Sequence, residues 1–398
     1  MKALCFVLIL MCAGVSISQE SDMQTLVDGN TAFALDVYQK IRETKGNHFF
    51  SPYSISTALA MTYGGARGET EKQMADVLHF SLDQTKLHAT FSDLQNYFQK
   101  IQEESEFRLN IANALWIQKS YELLSEFLEL NRKYYEANLF RVDFKKDPEG
   151  SRLKINDWVK KKTEEKIKDL LGEGIIDILT RLVLTNTIYF KAEWWRKFDP
   201  NKTEEKDFWM TEKIKTKVPM MTQKSFFSYW ESTDLQVLEM NYEGANLSMI
   251  ILLPRKIDGL SKLESELDIQ SLKEWTANLR IEHVEVFIPK FQTTRSFNLN
   301  KILISLGMGD AFSDSADFSG IEPKKELKIS DVVHKAFIDV DEAGTEAAAA
   351  SAVVMGIKSA PPPKDLPQFI ADHPFLYLIR DRQTGTILFM GRLAEPGN

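Results

Sequence analysis

The chain has 398 residues, of which 43% are hydrophobic and 27% charged, a composition that excludes a disordered tail, a fibre or a membrane bundle. Lys+Arg 49 against Asp+Glu 57 leaves a formal charge of -8, which argues against a phosphate-binding surface and so against nucleic acid as a partner. Length alone predicts roughly two or three domains.

Lys2 precedes an apolar run from Ala3 to Val15, followed by the small residues Ser16 and Ser18 and then the polar Gln19-Glu20-Ser21. This order predicts a secretory signal over residues 1–18, cleaved after Ser18, and an extracellular protein; the run is too short to span a bilayer, so no membrane partner is expected. Both cysteines, Cys5 and Cys12, fall inside the expected leader. A mature chain 19–398 without cysteine excludes a disulfide scaffold, a zinc cluster and thiol catalysis.

Phe33, Val37 and Ile41 lie four apart and predict a first helix that Gly46-Asn47 stops. Ser51-Pro52 opens a second, Tyr53 to Tyr63, closed by Gly64-Gly65, and a third runs from Gly68 through Leu78. Further helices are expected at about 85–103, 122–135 and 150–171. In the last, Ile155, Val159, Thr163 and Ile167 form the apolar stripe, while Lys160, Lys161, Lys162, Lys166 and Lys168 crowd the rest. That cluster could bind a polyanion such as heparin, although Glu164, Glu165 and Asp169 interrupt it. Strands dominate after residue 180: Leu182–Leu184, Ile188–Phe190, Met249–Leu253, Val284–Ile288 and Ile387–Met390 are branched or aromatic runs, several apolar on both faces. Helices first and mixed elements later give an α+β class. No repeat or low-complexity linker divides the chain, which favours one large domain; a monomer is expected.

Two sequons would carry glycan in a secreted protein: Asn201-Lys202-Thr203, which follows Asp199-Pro200 as a surface turn would, and Asn246-Leu247-Ser248, which abuts an apolar strand. Catalytic constellations are missing. None of His48, His79, His88, His283, His334 and His373 pairs with another at metal-ligand spacing, so no metal is expected. A nucleophile elbow and a Walker loop are absent, and Gly307-Met308-Gly309 lacks the rest of a dinucleotide fingerprint, so neither cofactor nor enzyme activity is expected.

One stretch is chemically odd. From Asp339 to Pro363 a glycine, Gly344, opens and three prolines close a run of small and apolar residues, too slight for an ordinary core element and too apolar for a solvated loop. Read with period two, Thr345, Ala347, Ala349, Ser351, Val353, Met355 and Ile357 share one face that could enter a sheet. The competing reading is a short surface helix at Ala347–Ala350 before a proline turn. Lys358-Ser359, a basic residue before a small one between flexible and stiffened flanks, is how a trypsin-like protease takes its substrate. Bait and latent strand in one loop describe a trap.

Glu342-Ala343-Gly344-Thr345-Glu346-Ala347-Ala348-Ala349-Ala350 resembles the hinge of inhibitory serpins. Four further segments are similar to that family in the same order: Asn47 to Ser56, Leu184 to Trp194, Val218-Pro219-Met220-Met221, and His373-Pro374-Phe375 with Leu388 to Arg392. The resemblance covers essentially the whole chain after the leader. It implies the serpin fold, three β-sheets with eight or nine helices and an exposed reactive-centre loop at about 342–363. It also implies suicide inhibition of a trypsin-like serine protease through a covalent complex, with Lys358-Ser359 the reactive bond and the hinge inserting into the central sheet. By the same resemblance Ser54, Ser56, Asn186 and His334 form a polar cluster under the sheet opening, with Trp194 at its top. Some members of this architecture carry hormones or other small molecules instead, which leaves a binding protein as the rival reading.

Overall fold

The computed structural model describes residues 2–105, 107–345 and 366–396, with side chains from Gln19 onward. Among these residues there are nine α-helices: α1 (Lys2–Ile41), α2 (Pro52–Tyr63), α3 (Gly68–Leu78), α4 (Gln84–Glu103), α5 (Ser125–Tyr135), α6 (Pro148–Lys162), α7 (Leu260–Glu266), α8 (Ile269–Ala277) and α9 (Asn300–Leu306). The expected leader and the first expected helix are thus one continuous element. Pro52 and Pro148 occupy first-turn positions where a missing N–H costs nothing, and Ser51 and Asp147 cap the same ends by accepting from Ser54 N and Gly150 N. Helix α6 ends at Lys162 rather than near 171, because Glu164 and Glu165 take positive φ of 49° and 65°. The buried stripe continues without a helix: the Thr163 hydroxyl accepts from Ile167 N at 3.1 Å and holds Ile167 and Leu171 in the core.

The strands are β1 (His48–Phe50), β2 (Arg108–Gln118), β3 (Asn138–Val142), β4 (Leu182–Glu193), β5 (Glu204–Trp209), β6 (Lys215–Glu231), β7 (Leu235–Asn241), β8 (Leu247–Pro254), β9 (Arg280–Pro289), β10 (Phe291–Asn298), β11 (Asp331–Val340), β12 (Gly344–Thr345), β13 (Gln368–Ile370), β14 (Phe375–Asp381) and β15 (Ile387–Leu393). One sheet has nine strands in the order β1-β15-β14-β8-β7-β6-β9-β13, with β5 added on β6. The other has six in the order β10-β11-β12-β4-β2-β3. The three sheets expected meet as two ladders because β6 is 17 residues long and serves two of them: its first half pairs with β5, its last four residues with β7, and its middle with β9.

Strand β2 is an element the sequence reading passed over. Its run Arg-Leu-Asn-Ile-Ala-Asn-Ala-Leu-Trp-Ile-Gln has the alanines and asparagines of a poor strand former, yet it lies between β3 and β4 and pairs with β4 from Arg108 to Ile117. Tertiary pairing outweighs propensity there. Helix α2 packs beneath this sheet with all twelve residues buried. Its small residues, Ser54, Ser56, Ala58 and Ala60, let it approach β4 and β15 closely.

Candidate functional site

Strands β4 and β11 run parallel and pair from Val183–Asp331 to Ile188–Ala336. Beyond that point they part, and β12 stands between them: Gly344 and Thr345 pair antiparallel with Glu193 and Ala192 of β4, while Val340 of β11 pairs with Thr345. The chain turns back on itself after β11, with Asp341 Oδ1 accepting from Ala343 N at 2.8 Å and from Gly344 N at 3.1 Å. Burial pushes the Asp341 carboxyl up from its ordinary value. Gly344 is required by space: a Cβ there would stand 2.1 Å from Ala192 O and 2.6 Å from Glu193 Cα.

Four side chains fix this stem. Trp194 Nε1 donates to Asp341 O at 3.0 Å, and the indole stacks on Tyr242 at 4.5 Å between centroids and 10° between planes. The Tyr242 hydroxyl in turn lies 2.8 Å from Thr345 Oγ1, and Thr345 is fully buried. Glu342 accepts from Thr203 Oγ1 and from Lys290 Nζ, each at 2.7 Å. Burial pushes the Glu342 carboxyl up, but Lys290 and Thr203 outweigh it and hold the group below the usual carboxylate value. Backbone bonds complete the seat, Trp194 N to Ala343 O and Phe198 N to Glu342 O, both 2.9 Å.

Farther down β4, Asn186 is the hub of a largely buried polar cluster. Its amide donates to Ser54 Oγ of α2 and Asn113 Oδ1 of β2, and its oxygen bonds His334 Nδ1 of β11. His334 Nε2 accepts from Ser51 N at 3.1 Å, so the imidazole is neutral with its proton on Nδ1. Burial pushes this histidine down to about 3. The cluster joins α2, β2, β4 and β11 where the two parallel strands still touch.

Of the residues expected in one cluster, Ser54, Asn186 and His334 meet. Ser56 does not: two positions along a helix is about 200° of rotation, and its hydroxyl donates instead to Asn30 Oδ1 of α1 at 2.6 Å. Trp194 lies eight residues from Asn186, roughly 26 Å along an extended strand, and belongs with the hinge. Of the hinge, Glu342, Gly344 and Thr345 are seated as above. Glu346, Ala347, Ala348, Ala349, Ala350, Lys358 and Ser359 lie outside the described residues. Ser51, Asn113, Tyr242, Thr203 and Lys290 are participants that sequence reasoning missed. Lys290 meets a partner 52 residues away and Thr203 one 139 residues away, and neither carries a local signal.

Asn201 is exposed in a turn and bonds Asp199 Oδ1, whereas Asn246 is half-buried with its amide 3.3 Å from Ser105 Oγ. The α6 lysines are partly engaged: Lys161 pairs with Asp157 at 2.7 Å and Lys160 with Glu165 at 3.8 Å.

A family model described as serpin (serine protease inhibitor) matches residues 28–396. The leukocyte elastase inhibitor of Sus scrofa is 42% identical over 389 residues, covering 94% of this chain and 100% of that one. Serpin B3 of Homo sapiens is 42% identical over 392 residues with the same coverage. Among solved structures, uncleaved ovalbumin superposes with a TM-score of 0.85 at 30% identity, covering 94% of this chain and 100% of that one. Two expectations are corrected by these relatives. Leukocyte elastase inhibitor and Serpin B3 align over their whole length and contain no counterpart to the remaining share of this chain, so the extracellular placement drawn from the leader is withdrawn. The bare reading of a chain that is not an enzyme, drawn from missing motifs, gives way to a positive one: relatives are named as inhibitors of a protease, a role exercised upon an enzyme.

Proposed function

The chain belongs to the serpin family, and on that premise we propose that it inhibits a serine protease by suicide trapping, with Lys358-Ser359 as bait. The observation that supports this most directly is the seating of Gly344 and Thr345 as a strand between β4 and β11. A loop whose first residues already fit the sheet is prepared to follow with the rest.

In this reading the protease serine attacks the Lys358 carbonyl, the amine of Ser359 leaves, and an acyl-enzyme ester remains. The freed segment then continues β12 through Glu346 and Ala347–Ala350, small residues that pass between the strands, carrying the protease along before water can deacylate it. Alternate positions Val353, Met355 and Ile357 would be buried, at roughly 1.5–3 kcal/mol for each large apolar side chain. Release of this energy only after cleavage makes the uncleaved fold a kinetically held state. Asn186, Ser54 and His334 hold β4 and β11 together below the stem and must yield as the strand advances; Trp194 guards its entry.

Lys358 suits an acidic specificity pocket, which favours trypsin-like targets, whereas several relatives are named for leukocyte elastase. The test sets both proteases against the full chain. Incubation with trypsin is expected to give a complex that survives denaturing electrophoresis and a released carboxyl fragment beginning at Ser359. Elastase is expected to give little complex. Clean cleavage by trypsin without a complex would refute trapping, and a complex with elastase alone would move the bond and the target class.

A further inference from the structure

A cavity of about 300 Å³ opens between the segment after β4, strands β6, β7 and β9, and the turn after β14. Sheet register brings its walls together. Ser228 of β6 pairs with Glu239 of β7 on one side and with Ile281 of β9 on the other. Phe226, two positions along β6, shares that face. Trp195 is carried to the same place by its backbone, whose N–H donates to Asn241 O at 3.0 Å. Trp195, Phe226 and Ile281 are 55%, 58% and 69% exposed, so three large apolar side chains ring one opening, Phe226 with one face stacked on His283 at 5.0 Å between centroids. Trp194 and Met240 form the buried floor.

The polar part of the wall is cationic in excess. Its one carboxylate, Glu239, is already matched: Oε1 accepts from Arg380 Nη2 at 2.9 Å and from Ser248 Oγ at 2.8 Å, with Arg382 Nε at 3.8 Å. Arg382 also donates to Ala245 O at 3.0 Å. Arg196, exposed at the rim, is engaged only through its carbonyl, which accepts from Gln223 Nε2; its guanidinium has no partner among the described residues. An apolar ring and a free guanidinium converge on one volume of ligand size.

We propose that this cavity binds a small aromatic organic anion, its flat body held by Trp195, Phe226 and Ile281 and its carboxylate or sulfonate by Arg196 and Arg382. Indole and guanidinium faces both favour a planar π-system, and the uncompensated charge selects an anion over a neutral or cationic analogue of the same shape.

The probe is 1-anilinonaphthalene-8-sulfonate, titrated into the full-length chain by fluorescence and calorimetry, with 1-naphthylmethylammonium as the cationic counterpart. One saturable site is expected. Trp195→Ala and Arg196→Glu should each raise the Kd at least tenfold with thermal midpoint unchanged, since both side chains are exposed; Ile304→Ser, an exposed apolar residue on α9, should leave it unaltered. Phe226→Ser serves in place of Trp195→Ala should the latter fail to fold. Absence of a saturable site, an unchanged Kd in the Trp195 and Arg196 variants, or equal binding of the cation would overturn the assignment. The readout is binding alone and is independent of the protease experiment.

Discussion

Replacing Asn186 by alanine removes one carboxamide and leaves three groups without their partner: Ser54 Oγ, Asn113 Oδ1 and His334 Nδ1. Ser54 and His334 are completely buried, so neither recovers water, while Asn113 is half-buried. An unsatisfied buried polar group costs about 1–3 kcal/mol; the serine hydroxyl can rotate, so the sum is closer to about 4 kcal/mol than to three full penalties. Unfolding entropy of roughly 2.1 cal/mol/K per residue, over a chain of 398 residues, comes to about 0.8 kcal/mol/K. The thermal midpoint should therefore fall by about 5 °C, measured by scanning calorimetry with both proteins at one scan rate. Ser56→Ala, which strands only Asn30 Oδ1, should cost about 1 kcal/mol and roughly 1 °C. A fall below about 1 °C for Asn186→Ala, or equal falls for the two variants, would refute the reasoning that the hub rather than any single bond matters.

Burial holds His334 at about 3 and, with Arg392 adding to burial at His48, both His48 and His88 at about 4, against 6.5 unfolded. Each is depressed in the fold, so its contribution is complete above 6.5 and is lost as pH falls toward 4; at pH of about 5 the loss is about 2 kcal/mol per group, and unfolding should take up about three protons from them. Calorimetry in buffers of different ionisation enthalpy measures that number, and an uptake below about one would contradict it. A double-mutant cycle of Glu342→Gln with Lys290→Met should give a coupling of about 1 kcal/mol, small because Lys290 is partly exposed, and weaker in concentrated salt. Gly344→Ala forces a Cβ into Ala192 O; the stem should leave the sheet, and proteolysis around Glu342 should quicken at least tenfold, whereas an unchanged cleavage rate would show that the strand yields instead.

Legibility in the sequence followed the range of the interactions. Helix α2 could be read because its proline, its serine cap and its closing glycines are neighbours in the chain. Strand β2 could not, since what makes it a strand is β4, some seventy residues later. The pair Ser54 and Ser56 shows the same limit at shorter range: a resemblance places both in one cluster, but helical rotation sends them to opposite sides, one to Asn186 and one to Asn30. Thr345 was legible as the start of a period-two face and Gly344 as the residue that opens the run, with Trp194 placed by its motif. Their lock, Glu342 to Lys290 and Thr203, exists only once three distant segments have met.

The six-stranded sheet contains a fork. Below it β4 and β11 share a parallel ladder of six residue pairs; above it each is bonded to β12. An edge hydrogen-bonds one neighbour at a time, so the two arrangements exclude each other residue by residue, as the slider of a fastener opens one track only by closing another. Moving the fork by one residue displaces it about 3.3 Å and exchanges a slanted parallel pair for two antiparallel ones, which are somewhat more stable per residue. The parallel ladder of β4 and β11 ends toward the fork at Ile188–Ala336. That pair stands two residues above the Asn186–His334 bond, so the end of the parallel ladder and the polar cluster lie at nearly one height in the sheet.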